Sequence, residues 1–396
     1  MVKFAHLSDC HLGGWRQEEI QNLNFESFSK IIDICIEEKV DFILIAGDLF
    51  DSAYPPIEIL KETFAVFKKL KDNKIPVFII AGSHDFSASG KTFLDVLEKA
   101  GFCQNVENAK IIEEGIMLYP FFYGDIAIYG YPGKKSGMEI NDLKKIHLNS
   151  VHPFSIFMIH TTIKDVVGNL PVEFIEKEKL PLANYYAMGH VHQVFENSAG
   201  LSTYVYPGPA FPNNFQELVD LKCGSFQLLE LISGKIKSRN IKIPIKDVVF
   251  TEIEINDGLT ATQKIISEID KLNLTGKIFL LKLKGTLTSG KTGDIHFNEI
   301  ENFVKKKNAY SFLRNISSVK IAETDMEFTS STENMENIEK KIISEFSLKN
   351  QADFNRFLPS LMNALSMEKN EEEKNAVFEN RLVSELKNCL EIRDVL

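Results

Sequence analysis

Five short clusters of carboxylates and imidazoles carry the chemistry available to this chain. They are Asp9-Cys10-His11, Gly47-Asp48, Gly82-Ser83-His84-Asp85, His160, and Gly189-His190-Val191-His192. In D-x-H and H-x-H, alternate residues at a strand end share a face, so each pair turns two donor side chains the same way. Two divalent cations roughly 3.5–4 Å apart need such a set: a bridging carboxylate and several neutral imidazoles. Each pair alone is common. Their combination, each just after an apolar run, points to a dinuclear metal centre. Gly47 would let the backbone crowd that centre beside Asp48. His147, His152 and His296 read as ordinary surface residues, and His6, inside an apolar run, reads as a satisfied core histidine.

The elements behind the clusters are legible in the apolar spacing. Residues 2–7, 42–46 and 76–81 read as buried strands, and 25–38 and 57–71 as helices with apolar stripes. Strand and helix alternating in that order predict a parallel sheet with covering helices. Further strands are expected at 126–130, 154–159, 185–189 and 203–206. Residues 226–231 and 236–243 read as an antiparallel pair turning at Ser233-Gly234. The clusters then fall at strand ends, where open α/β sheets place their sites.

The first domain is placed at residues 1–240. From 245 to 323 the pattern restarts as a small α+β unit, with strands at 249–255, 277–287 and 318–323 and helices at 261–272 and 295–306. Residues 324–337 are polar and acidic and read as a linker. Residues 338–396 read as helical, although Pro359 is expected to break or kink its segment. Two apolar stripes follow, one through Phe354, Phe357, Leu361 and Leu365, the other through Phe378, Leu382, Leu386 and Leu390. They either pack on one another or dock a partner.

Bulk composition narrows the classes. A chain of 396 residues implies two or three domains. The net charge of −10 argues against coating nucleic acid by bulk positive charge, but not against a nuclease whose bound cations meet the phosphates. The five cysteines are odd in number, scattered and without CxxC, so neither a disulfide framework nor a zinc knuckle is expected and a reducing compartment is. The start shows no signal-peptide pattern, and no apolar run reaches membrane-span length. No membrane association is expected, and the cytoplasm is the default location.

The ordered set D-x-H, GD, G-x-H-D, H and G-H-x-H resembles the calcineurin-like metallophosphoesterase superfamily. Within it the chain is similar to the SbcD nucleases, the meiotic-recombination-eleven branch of archaea and eukaryotes. The motifs cover residues 1 to about 210; the order of cap and terminal helices extends the likeness less specifically. The resemblance implies an α/β fold, a phosphoesterase β-sandwich flanked by helices, with a small α+β cap domain and C-terminal helices. It implies one metal on Asp9, His11, Asp48 and His192. A second would lie on Asp48, His160 and His190 plus the position of Ser83. His84 would assist leaving-group charge without ligating, and Asp85 would orient it by accepting a ring N–H.

The implied reaction is phosphodiester hydrolysis by a metal-bridging hydroxide, with manganese as the expected ion, in a double-strand-break repair complex. The implied partners are double-stranded DNA ends, an SbcC-type coiled-coil ATPase on the C-terminal helices, and a second copy as homodimer, in a nucleoid-associated setting. The lysines Lys277, Lys282, Lys284, Lys291, Lys305, Lys306 and Lys307 either meet the DNA backbone or form a solvated charged face.

Two positions depart from the pattern. Ser83 stands where the family has an asparagine ligand, and Asp51 where some archaeal and eukaryotic members carry a histidine. Two other readings stay open. One is a phosphomonoesterase or cyclic-nucleotide phosphodiesterase of the same superfamily; the other is a catalytically weakened scaffold that binds DNA and the ATPase.

Overall fold

Three parallel strands, Val2–Leu7, Phe42–Ala46 and Val77–Ile80, form the middle of the first sheet, as their buried apolar runs require. The computed structural model describes residues 1–322 except 88, 89, 91, 169 and 170, and, beyond them, 357–367, 369, 373 and 375–390. It divides into two units, Met1–Ala322 and Glu323–Leu396.

The first sheet has six strands, in the order Lys235–Ile243, Gly224–Ile232, Val2–Leu7, Phe42–Ala46, Val77–Ile80 and Gln104–Asn105. Gly224–Ile232 and Lys235–Ile243 are the expected antiparallel pair, with Ser233 and Gly234 both at positive φ in the turn. The second sheet also has six strands. Ile126–Tyr131, Phe154–His160, Tyr185–Gly189 and Ser202–Pro207 run parallel, with Phe121–Tyr123 and Val194–Ala199 antiparallel at the edges. Val194–Ala199 was not expected as a strand. It is an edge strand with mostly exposed or half-buried residues, so it carries no apolar run.

The two sheets face each other across one core. Phe4, Phe42, Leu44 and Ile80 of the first pack with Ile128, Met158, Tyr185 and Val205 of the second. Phe4 and Phe42 stack with ring centroids 4.8 Å apart. Each such side chain contributes about 1.5–3 kcal/mol by leaving water. On the outer face of the first sheet, the helices Glu18–Glu37 and Ile57–Asp72 bury Phe28, Ile31, Ile32 and Phe67. The result is the expected sandwich flanked by helices.

Residues 245–322 contribute a three-stranded parallel sheet of Val248–Glu254, Ile278–Leu287 and Ser311–Ile321, with the helices Gly258–Asp270 and Phe297–Lys306. One face buries Ile265, Phe279, Leu281 and Ile300. The other, through Ile278, Leu280 and Leu313, packs on Trp15, Ile20, Leu23 and Phe211. The last strand begins at Ser311 rather than 318, because its polar Asn315 and Ser317 hide the alternation.

In the second unit the described helices are Leu358–Leu365 and Asn375–Cys389. Pro359 does not break its helix. It lies in the first turn, where the missing N–H has no intrahelical partner to lose. The expected linker at 324–337 and Phe354 lie outside the described residues. No described helix is long and apolar enough to cross a membrane.

Candidate metal centre

Strand register sets the rim of the site. Leu7 pairs with Ile45 and Ala46 with Ile80 in one sheet, and His160 with Gly189 in the other. The chain therefore leaves five strands at one level, and the five clusters open onto one crevice. Two loops are laced together there: Asp9 N–H donates to Gly47 O at 3.1 Å and His11 N–H to Asp48 O at 3.0 Å. Asp9, His11, Asp48 and His190 all have positive φ, at 51°, 43°, 50° and 91°. Left-handed backbone at non-glycine residues costs of order 1–3 kcal/mol each and gathers where function demands it.

The donor atoms converge. Ligand atoms of Asp9, His11 and His192 lie within 4.8 Å of one another, as do those of Asp9, Asp48 and His160, and those of His11, Asp48 and His84. Asp9 and Asp48 are buried carboxylates. His192 Nε2 is 3.6 Å from Asp9 Oδ1, His11 Nε2 is 3.6 Å from Asp48 Oδ2, and His160 Nε2 is 3.1 Å from Asp48 Oδ2.

Each of these three rings has its other nitrogen engaged. His11 Nδ1 lies 3.1 Å from Asp51 Oδ1, His192 Nδ1 is 2.9 Å from Glu217 Oε1, and His160 Nδ1 is 2.9 Å from Ala46 O. An imidazole donating from Nδ1 keeps a lone pair on Nε2, which is how metal-ligating histidines are held. His160 Nε2 is buried without a well-formed hydrogen bond. The Nε2 atoms of His11 and His192 face each other at 3.1 Å. Nitrogens so placed, beside two carboxylates, call for positive charge between them, a ring proton or a cation. The donor set fits divalent cations.

The electrostatics agree. Burial opposes the charge on Asp48, yet His160 and His11 beside it hold its carboxyl well below the usual carboxylate range. Burial also opposes charging His160, but Asp48 and Asp9 raise it to about 10. His192 is raised to about 9 against its burial, chiefly by its hydrogen bond to Glu217. Burial and the neighbouring His160 push His190 down to about 4.

Gly82 belongs to the same cradle. A Cβ there would sit 2.2 Å from Asp48 Oδ1 and 2.4 Å from Asp48 N. At Gly47, where φ is +90°, a Cβ would sit 2.3 Å from His160 Nδ1.

The remaining expected residues divide. The His190 backbone N–H donates to Asp9 Oδ1 at 2.9 Å, and its ring packs on His160 at 5.1 Å, but its nitrogens enter none of the three ligand groups. Ser83 is half-buried and lines an open hollow of about 510 Å³ with Asp51, His84 and Tyr54.

Asp85 does not orient the His84 ring. Its carboxylate accepts from the backbone N–H groups of Gly82 at 2.9 Å, Phe50 at 3.1 Å and Leu49 at 3.4 Å, tying the second loop to the third. Burial, then the nearby Asp48, push its carboxyl up to about 6. The His84 Nδ1 is instead 2.8 Å from the Asp51 carbonyl oxygen, and its backbone N–H donates to Asp48 Oδ1 at 2.8 Å.

His6 is only half satisfied: Nδ1 meets Tyr185 Oη at 2.9 Å, while Nε2 is buried without a well-formed partner. In the cap, Lys282 and Lys284 both pair with Glu252, Lys305 with Glu301 and Lys307 with Asp270. Glu217 and Asn213 escaped sequence reasoning. Their one local signal is Asn214-x-x-Glu217, a helix-start pattern: Asn214 Oδ1 accepts the Glu217 N–H at 2.9 Å.

Comparison with known proteins agrees with this geometry. The calcineurin-like phosphoesterase family matches residues 2–194. The chain is 28% identical over 321 residues to the DNA double-strand break repair protein Mre11 of Sulfurisphaera tokodaii, covering 76% of this chain and 78% of that protein. It is 28% identical over 229 residues to the protein of that name from Archaeoglobus fulgidus, covering 52% of this chain and 49% of that protein. It is 25% identical over 327 residues to that from Methanosarcina mazei, covering 78% of this chain and 48% of that protein. The chain thus matches about half the length of the last two.

Proposed function

We propose that the chain is a metal-dependent phosphodiesterase of the Mre11/SbcD type, to which it is similar over the phosphoesterase region, and that it cuts DNA with two divalent cations as the nuclease of a double-strand-break repair complex. One observation carries the reading: Asp9, His11, Asp48, His160 and His192, spread over nearly half the chain, bring their donor atoms to one crevice. In this reading Asp9, His11, Asp48 and His192 hold one cation, and Asp48, His160, His190 and the Ser83 position hold the other, manganese being the expected ion. Bound there, divalent cations would make hydroxide available near neutral pH and draw charge from the phosphoryl oxygens.

The chain's own groups supply the rest. His84 stands exposed at the rim, with Nδ1 held by the Asp51 carbonyl, leaving Nε2 to face an incoming phosphate and stabilise or protonate the departing oxygen. Asp85 fixes the turn that carries His84. Double-stranded DNA ends as substrate, a coiled-coil ATPase on the C-terminal helices, and a homodimer are proposed from the similarity to the Mre11 proteins. The ion pairs on the cap lysines leave less free positive charge there than the sequence suggests.

The test is hydrolysis by the purified full chain with Mn²⁺, on linear duplex DNA and on p-nitrophenyl phosphate, beside His192→Ala. Cleavage of DNA that His192→Ala abolishes supports the nuclease. Turnover of the small ester alone supports a phosphomonoesterase, and turnover of neither supports a scaffold.

A further inference from the structure

We propose that Asp51 and Glu217, joined through Asn213, form a belt of acceptors that orients His11 and His192 and makes the cation position beside them the first to fill. The inference rests on the two-metal reading above. Asp51 Oδ1 lies 3.1 Å from His11 Nδ1, and Glu217 Oε1 lies 2.9 Å from His192 Nδ1. Asn213 connects the two acceptors. Its backbone N–H donates to Glu217 Oε2 at 2.7 Å and its Nδ2 donates to Asp51 Oδ1 at 3.4 Å. The loop after Phe42–Ala46 and the start of the helix Phe215–Asp220 thus close a ring behind the two imidazoles.

A carboxylate that accepts an imidazole N–H fixes the tautomer, stops the ring turning and makes the opposite nitrogen more basic. Both rings at this position have one. The other position differs. His160 Nδ1 donates to a neutral acceptor, the Ala46 carbonyl, and, apart from Asp48, which in this reading is itself a ligand beside Nε2, no carboxylate among the described residues is hydrogen-bonded to the ring of His160 or His190. Its further donor is the hydroxyl of Ser83. Two carboxylates stand behind one position and none behind the other, so the belt separates the two affinities.

The experiment is a calorimetric titration of the metal-stripped full-length chain with Mn²⁺, with free Mn²⁺ followed by electron paramagnetic resonance. The unmodified chain is expected to bind in two steps. Glu217→Gln and Asp51→Asn each weaken the tighter step by about 10–100-fold, while His160→Ala removes the weaker step and spares the tighter one. Asp51→Asn keeps the backbone carbonyl that holds His84, so the leaving-group side is undisturbed. Thermal unfolding without metal reports folding of each variant, and Asp51→Asn tests the belt from the opposite end if Glu217→Gln does not fold.

A tighter step unchanged in both acceptor variants overturns the belt while leaving the two-metal reading intact. Loss of the tighter step in His160→Ala overturns the assigned order. A chain that takes up no Mn²⁺ overturns the two-metal reading itself.

Discussion

Gly82→Ala should disable the centre without adding or removing a single polar group. The new Cβ would lie 2.2 Å from Asp48 Oδ1 and 2.4 Å from the Asp48 backbone nitrogen, whereas real Cβ contacts essentially never fall below 3.0 Å. The difference between 3.0 and 2.2 Å means a displacement of roughly 0.8 Å. A flexible side chain could swing aside, but here the crowded atoms include backbone. Asp48 cannot clear the methyl without moving the peptide that holds its nitrogen, whose Gly47 carbonyl accepts the Asp9 N–H. A misplacement of about 1 Å at a reacting centre costs on the order of a hundredfold in rate, which is about 2.7 kcal/mol of barrier. Phosphodiester hydrolysis at saturating Mn²⁺ reads that loss, and titration with Mn²⁺ reads the loss of affinity. Gly293→Ala is the control, since the nearest atom to its Cβ is 3.9 Å away. Turnover within about threefold of the unmodified chain, with both Mn²⁺ steps intact, would refute the claim that Asp48 is held there by close backbone approach.

His84→Asn should lower turnover by about 10²–10⁴-fold while Mn²⁺ affinity holds, because its ring is hydrogen-bonded through Nδ1 to Asp51 O and stands at the rim; a matching loss of Mn²⁺ affinity would make it a ligand instead. Mn²⁺ affinity should rise as pH climbs from 6 to 8, since His192 and His160, at about 9 and about 10 without metal, must release protons to bind; calorimetry in buffers of different ionisation enthalpy counts those protons, and none released would contradict the ligand assignment. Burial holds His6 down to about 3, below its ordinary 6.5. The unfolded chain therefore binds more protons between those values, and stability is full above 6.5 and drains away as pH falls toward 3, by about 2 kcal/mol at pH 5. His6→Leu should flatten the pH dependence of thermal unfolding between pH 7 and 5, and an unchanged slope would show that His6 does not set it.

What could be read from the sequence follows from how each group is placed. Parallel strands buried on both faces are written as unbroken apolar runs, so Val2–Leu7, Phe42–Ala46 and Phe154–His160 were legible. Alternate residues at a strand end share a face, so Asp9 with His11, and His192 of the H-x-H, were legible as residues of the crevice, whereas His190 enters none of the ligand groups. The acceptors behind those rings follow no such rule. Glu217 reaches His192 from a helix 25 residues onward, and Asp51 reaches His11 across 40. Only the fold sets those separations, and no local spacing announces them.

Asp85 shows the opposite failure, where adjacency suggested a contact that the turn forbids. Its neighbour's ring points to the rim, while its own carboxylate turns inward to three backbone N–H groups. A buried carboxylate must first satisfy the donors that crowd it, each worth about 1.5–3 kcal/mol to a charged acceptor, and little capacity remains for an exposed imidazole. The same accounting explains Asp51. It is partly exposed, with a carboxylate left over for His11 and a carbonyl left over for His84, so one residue braces both imidazole rings on that side of the crevice.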